Sequence, residues 1–200
     1  MKKLLVIESS PNGSFSISRQ VTDKLVQHLK TKNPGIEIKN LDLNTNPVPH
    51  LTGATITAMF SPVENYTQEL KDSIALSDKL TDEFLWADEI VLSVPMWNFG
   101  VPSVVKAYID HISRAGRTFK FGPNGLEGLA AGRKVYLVVA SGSVFSEGPF
   151  APYDQVVPYI KTFFGFIGIN QVEVIRAEGV NDPANKDKAL INADLNIAAL

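Results

Sequence analysis

The sequence contains no cysteine, and that absence removes several chemistries together. No disulfide framework, thiolate nucleophile, dithiol redox pair or Cys-rich zinc site can be built. Redox work would therefore fall to a bound cofactor. An excess of one charge is missing as well: 19 Lys and Arg stand against 21 Asp and Glu, a formal net charge of −2 over 200 residues. A protein gripping nucleic acid needs a basic face for its phosphate contacts, so this balance argues against such a partner. No apolar run approaches the roughly 18 residues of a membrane span; residues 135–140 form one of the longest. Residues 4–7 end at Glu8 after about four apolar positions, short of a signal h-region, and the expected location is the cytoplasm. His28, His50 and His111 lie far apart with no ligand spacing, so no metal site is expected. Neither G-x-x-x-x-G-K-[ST] nor a G-x-G-x-x-G following a strand occurs, which argues against the two best-known nucleotide loops.

Three short runs rich in Val, Ile and Leu, 4–7, 90–94 and 135–140, lack in-out alternation and are bounded by turn residues. That pattern means burial on both faces, and hence a parallel sheet covered by helices. Residues 36–43 and 171–176 are weaker strands. Between them, Ile17, Val21, Leu25 and Leu29 mark one helical stripe, and Leu70, Ile74, Leu80 and Phe84 a second over 66–86. Further helices are predicted over 102–115, 153–166 and 183–199, the first opening on Pro102. The alternation of five strands with five helices predicts a single doubly wound α/β domain, 1–200. The expected sheet is five-stranded and parallel, order 2-1-3-4-5, with helices on both faces. Two long connections, 44–65 and 116–132, interrupt the rhythm.

Ligands of such sheets bind outside the carboxyl ends of the strands, where the winding reverses. After strand one the chain reads Glu8-Ser9-Ser10-Pro11-Asn12-Gly13-Ser14-Phe15-Ser16-Ile17-Ser18 and then enters a helix. Hydroxyls, free amides and the positive helix end together make a site for a phosphate; serines that merely cap the helix are the plainer alternative. After strand three, Pro95-Met96-Trp97-Asn98-Phe99-Gly100 places two aromatics and a Met where a flat aromatic ligand could rest, or where the loop could plug itself. After strand four, Ala140-Ser141-Gly142-Ser143 is a small-residue turn that could admit a ring edge.

Taken together with Arg114-Ala115-Gly116-Arg117-Thr118-Phe119, Asn124-Gly125-Leu126-Glu127-Gly128-Leu129 and Thr162-Phe163-Phe164-Gly165-Phe166-Ile167-Gly168, these segments resemble the NAD(P)H:quinone reductase and FMN-dependent azoreductase family. The similarity runs from near Met1 into the last helix. It implies a flavodoxin-like three-layer sandwich, non-covalent FMN, NADH or NADPH as electron donor, and a homodimer with active sites at the subunit interface. By position, Ser10, Ser16, Ile17 and Ser18 would hold the FMN phosphate and ribityl chain. Pro95, Met96, Trp97, Asn98 and Phe99 would cradle the isoalloxazine, and Ser141, Gly142 and Ser143 would border its pyrimidine side. Hydride chemistry would occur at FMN N5, with quinones and azo compounds reduced by two electrons in a ping-pong cycle and no catalytic side chain required. Where members of the family often carry Ser-Arg-Gly-Gly, this chain has Ala140-Ser141-Gly142-Ser143.

Other residues admit readings of their own. Phe119 and Phe121 are expected to line the substrate entrance. Phe163, Phe164, Phe166 and Ile167 exceed one helix face, so some are expected to meet a partner subunit. Asp110 and His111 are expected to be surface or interface polar groups. The alternative to an enzyme is a non-catalytic electron carrier of the flavodoxin type. Such carriers are acidic for docking on basic partners, and a net charge of −2 speaks for the enzyme.

Overall fold

Each predicted strand becomes part of one parallel sheet, and the reason is visible in which way its side chains point. In β1 (Lys3–Glu8), Leu5 and Ile7 join one hydrophobic cluster while Leu4 and Val6 join another on the opposite face. In β6 (Lys134–Ser141), Val135, Leu137 and Val139 go to the first cluster and Tyr136, Val138 and Ala140 to the second. A strand of this kind is apolar at nearly every position because both faces are covered. Adding β2 (Glu37–Asp42), β3 (Glu89–Pro95) and β7 (Gln171–Glu178) gives the sheet order β2-β1-β3-β6-β7, all pairs parallel. Counted within the sheet, that is the expected order 2-1-3-4-5. The structure, a computed structural model, describes residues 1–123 and 125–200, and of Ala184 the backbone alone.

Helices cover both faces. On one side α1 (Ile17–Lys32) and α6 (Pro183–Ala198) seal the smaller cluster with Val21, Leu25, Leu29, Ala193 and Ile197. On the other, α3 (Gln68–Trp86), α4 (Ser103–Ile112) and α5 (Val157–Phe166) bury Leu80, Phe84, Val105, Ile109, Ile160 and Phe164. Pro102 stands one residue ahead of α4 as its N-cap rather than within its first turn. The last predicted helix but one starts later than expected: residues 148–153 form a 3-10 turn, and the Asp154 carboxylate accepts the N–H groups of Val156 and Val157 (2.9 and 3.0 Å) to open α5.

The two long connections are structured. The first contains α2 (Gly53–Phe60), capped by Thr52, whose hydroxyl accepts from Thr55 N (3.1 Å). The second is an antiparallel hairpin, β4 (Phe119–Gly122) with β5 (Gly125–Gly128); Asn124 at its tip lies outside the described residues. Arg114 anchors the base of this hairpin to α3. Its guanidinium is buried and donates to Ser77 Oγ (2.8 Å) while pairing with Asp78 (2.8 Å). Gly128 approaches the end of α5 so closely that a Cβ there would lie 2.1 Å from Gly168 N.

That hairpin corrects one expectation. Phe163, Phe164 and Ile167 are buried within the chain, Phe164 stacking on Phe84 (6.3 Å), and Phe166 is half-buried against Phe119 of β4 (4.7 Å). Three of the four are thus buried within the chain, and the hairpin covers Phe166 in part. His111 corrects another: it is buried at the end of α4, and its Nε2 lies 3.0 Å from the Pro49 carbonyl, tying down the first long connection. Desolvation there pushes its pKa down. Asp110 stays at the surface and pairs with Lys106 (2.5 Å).

Candidate functional site

Four of the sheet's carboxyl ends and the start of α1 converge on one cavity. Its first wall is the loop after β1. Ser9 Oγ donates to the Ser93 carbonyl (2.6 Å), fastening β1 to β3, and Arg19 donates to the Ser10 carbonyl through Nε (3.0 Å) and Nη2 (2.6 Å). The same Nη2 donates to Asp42 (2.7 Å). So held, the loop folds back through the left-handed Gly13 (φ +51°) and delivers Ser16 as the N-cap of α1, its hydroxyl accepting from Arg19 N. Ser16 Oγ and the fully buried Ser18 Oγ lie 3.1 Å apart. A helix leaves its first four N–H groups without intrahelical acceptors. Here the Ser16 N–H goes to the Gly13 carbonyl and that of Arg19 to the Ser16 hydroxyl, which leaves Ile17 and Ser18 to serve a ligand.

The second wall follows β3. Trp97 N donates to the Gly100 carbonyl (3.1 Å) and Gly100 N returns the bond to Trp97 (3.0 Å), closing a tight turn. Its two central residues, Asn98 (φ +48°) and Phe99 (φ +70°), sit in the left-handed region. Asn tolerates this, but Phe does so at a cost. The geometry persists because Gln155 N donates to the Phe99 carbonyl (3.0 Å) and the Phe99 ring packs on Phe145 (6.2 Å) and Tyr153 (5.7 Å). Non-glycine residues held in such conformations cluster at ligand sites.

The third wall is the turn after β6. Ser141 Oγ donates to the Ser143 carbonyl (2.8 Å). Val180 N and Asn181 N donate to the carbonyls of Ser141 and Gly142 (3.2 Å each), and a Cβ on Gly142 would collide with the Asn181 side chain at 2.3 Å. A side chain at Gly142 would thus displace the Asn181 side chain where the turns after β6 and β7 lie side by side. Arg176 steadies this region by pairing with Asp154 (2.6 Å) and Glu178 (2.9 Å), and Glu178 in turn accepts from Phe145 N (2.9 Å).

The resulting cavity, about 410 Å³, gathers Ser10, Ser16, Ile17, Ser18, Pro95, Met96, Trp97, Ser141 and Gly142. Asn98, Phe99 and Ser143 line an adjoining hollow of about 240 Å³ that shares Met96 and Gly142 with it. Every residue assigned above to cofactor binding thus lies at one of the two. Phe119 and Phe121 line neither: Phe119 is buried on Phe166, and Phe121 is 76% exposed on the hairpin. Residues not foreseen also line the main cavity, among them Asn12, Phe15, Val180, Asn181 and Lys186. The carboxyl end of the fifth strand brings the last three to this edge, but no residue type there marks chemistry in the sequence.

Beneath the serine loop lies Glu8. Burial pushes its carboxyl up to about 7, against the pull of the Ser93 hydroxyl and of the Arg19 guanidinium 4.0 Å away. No group of three or more His, Asp or Glu side chains is placed to hold a metal among the described residues. No helix among them is long and apolar enough to cross a membrane.

The sequence profile of the flavodoxin-like fold family matches residues 2–200. The chain belongs to this family. Within the flavodoxin-like family, it is 49% identical over 191 residues to the FMN-dependent NADH:quinone oxidoreductase 2 of Hahella chejuensis, covering 95% of each chain. Among solved structures, the azoreductase from Bacillus anthracis strain Sterne superposes with a TM-score of 0.92 at 29% identity, covering 100% of this chain and 98% of that one. An FMN-dependent NADH-azoreductase from the Ames Ancestor strain, solved in complex with FMN, gives a TM-score of 0.88 at 26% identity over 100% and 97% of the two chains.

Proposed function

We propose that this protein is an FMN-dependent oxidoreductase that takes hydride from NADH and reduces quinones and aromatic azo compounds by two electrons. The observation that carries the reading is the single cavity joining a hydroxyl-lined helix start to an aromatic turn. Its volume, about 410 Å³, is that of a small-molecule site. The two kinds of wall suit the two ends of a mononucleotide. The relatives named for FMN, NADH, quinone and azo reduction support the same reading.

The residues present fit FMN. Ser10, Ser16 and Ser18, with the N–H groups of Ile17 and Ser18, would hold the phosphate at the positive end of α1. Met96 and Trp97 offer an apolar rest for the ring system, and Ser141 and Gly142 border its polar edge. Held there, FMN would supply the redox chemistry: hydride acceptance from NADH and two-electron reduction of the acceptor. The chain's own task is placement and exclusion: Trp97 and Phe99, 45% and 49% exposed, are covered once a flat ligand lies on them, and water leaves that face. Main-chain N–H groups of the 141–143 turn favour negative charge on the ring's polar edge. We assign no side chain a covalent role.

We further propose that the protein works in the cytoplasm as a homodimer. Support comes from apolar side chains exposed beside the mouth of the cavity and on the hairpin, including Trp97, Phe99, Phe121 and Leu126. A substrate-lining role for Phe119 and Phe121 depends on that arrangement, since they line neither hollow within their own chain; a second copy would bring the hairpin to the opening.

Titration of the purified chain with FMN, followed by the fluorescence of Trp97, tests the reading. Saturable quenching at one FMN per chain, reduced in Trp97→Phe, which keeps Trp86 alone, is the expected result. A colourless protein that takes up no FMN at micromolar concentration would overturn it.

A further inference from the structure

Lys186 is the single charged residue among those lining the main cavity. It stands in the first turn of α6, which opens at Pro183. A cation there opposes the helix dipole, which favours negative charge at that end. Among the described residues Lys186, like Lys30, Lys32, Lys71, Lys79, Lys161 and Lys188, has no carboxylate partner, and of these it alone lines the main cavity. The chain thus keeps an unpaired cation where the local helix disfavours it and the cavity is otherwise uncharged.

The fold tells which part of the ligand it faces. α1 and α6 lie side by side on one face of the sheet, tied by Lys24 to Asp194 (2.7 Å). Both follow parallel strands, so their starts lie at the same edge. Lys186 lines the main cavity, which holds Ser16 and Ser18 as well as Met96, Trp97, Ser141 and Gly142, and it is absent from the hollow of Asn98, Phe99 and Ser143; the side-by-side starts of α1 and α6 favour the serine end.

We infer that Lys186 is the cationic partner of the FMN phosphate, a binding residue beyond the serine loop; the inference rests on the FMN reading above. Ser10, Ser16, Ser18 and the start of α1 place the dianion, and the exposed Lys186 supplies the cation beside it. The contact contributes to FMN and nothing to riboflavin, which has the ring and no phosphate.

The test measures dissociation constants of FMN and riboflavin for the flavin-free full chain, Lys186→Met and Lys186→Arg, at low and high salt. FMN binding weakens about five- to tenfold in Lys186→Met, the size of one partly exposed charge-assisted contact. Riboflavin binding stays unchanged, Lys186→Arg restores FMN affinity, and the salt dependence of FMN binding shrinks in Lys186→Met. Unchanged FMN affinity in Lys186→Met overturns the inference, as does equal weakening of both flavins. Failure of the unsubstituted chain to bind FMN strikes the proposed function instead.

Discussion

At the scale of single residues, Phe99 holds a left-handed backbone that glycine would adopt freely, and its ring compensates by packing on Phe145 and Tyr153. The two terms can be separated. Phe99→Gly loses the ring contacts and sheds the strain, each about 1–2 kcal/mol, so its stability stays near that of the parent. Phe99→Ala loses the contacts and keeps the strain, so urea denaturation should find it less stable than the glycine variant by about 1 kcal/mol. Equal stabilities would show that the turn is not strained. Glu8 offers a second test, through pH. Its folded carboxyl titrates near 7 against an ordinary value of 4.5, so the folded state holds the proton more tightly. Stability is therefore lost as pH rises from about 4.5 to 7, and Glu8→Gln removes that loss. The gain of the glutamine variant over the parent should grow across this window to about 2–3 kcal/mol. A gain independent of pH would contradict the assignment.

Among elements, the hairpin is the most specific test of packing. Gly128→Ala drives a methyl into the backbone at Ile167 and Gly168, whereas Gly125 (φ +97°) has open space around its Cα. Denaturant midpoints should therefore show Gly128→Ala costing roughly 2–4 kcal/mol and Gly125→Ala about 1 kcal/mol, from backbone strain alone. Comparable costs would mean that β5 is not latched to the end of α5. This latch also explains what could be read in advance and what could not. The core strands were legible because burial on both faces leaves residues such as Val135 to Ala140 apolar at every step. The hairpin was not: Phe119-Lys120-Phe121-Gly122 is short, half polar and defined by contacts with Phe166 and Gly168 far along the chain. For the same reason, the sequence could not tell that Phe163, Phe164 and Ile167 find their cover within the chain. α2 hid between Pro49 and Pro62, where punctuation outweighs an eight-residue helical pattern.

Over the whole molecule, the site is an edge property: it exists because parallel winding brings the carboxyl ends of β1, β3, β6 and β7 together. The loops after β1, β3 and β6 were legible as ligand walls because serines, aromatics and small residues are concentrated there. Asn181 and Lys186 were not, since nothing in Val180-Asn181-Asp182-Pro183 marks chemistry until the sheet places it beside Gly142. The central claim is that a flavin resting against Trp97 exchanges electrons directly with a nicotinamide. Anaerobic stopped-flow mixing of the FMN-loaded chain with NADH addresses it most directly. The account predicts rapid bleaching of the flavin absorbance by NADH, and full recovery when a quinone is added. A flavin that stays oxidised in the presence of excess NADH would contradict it.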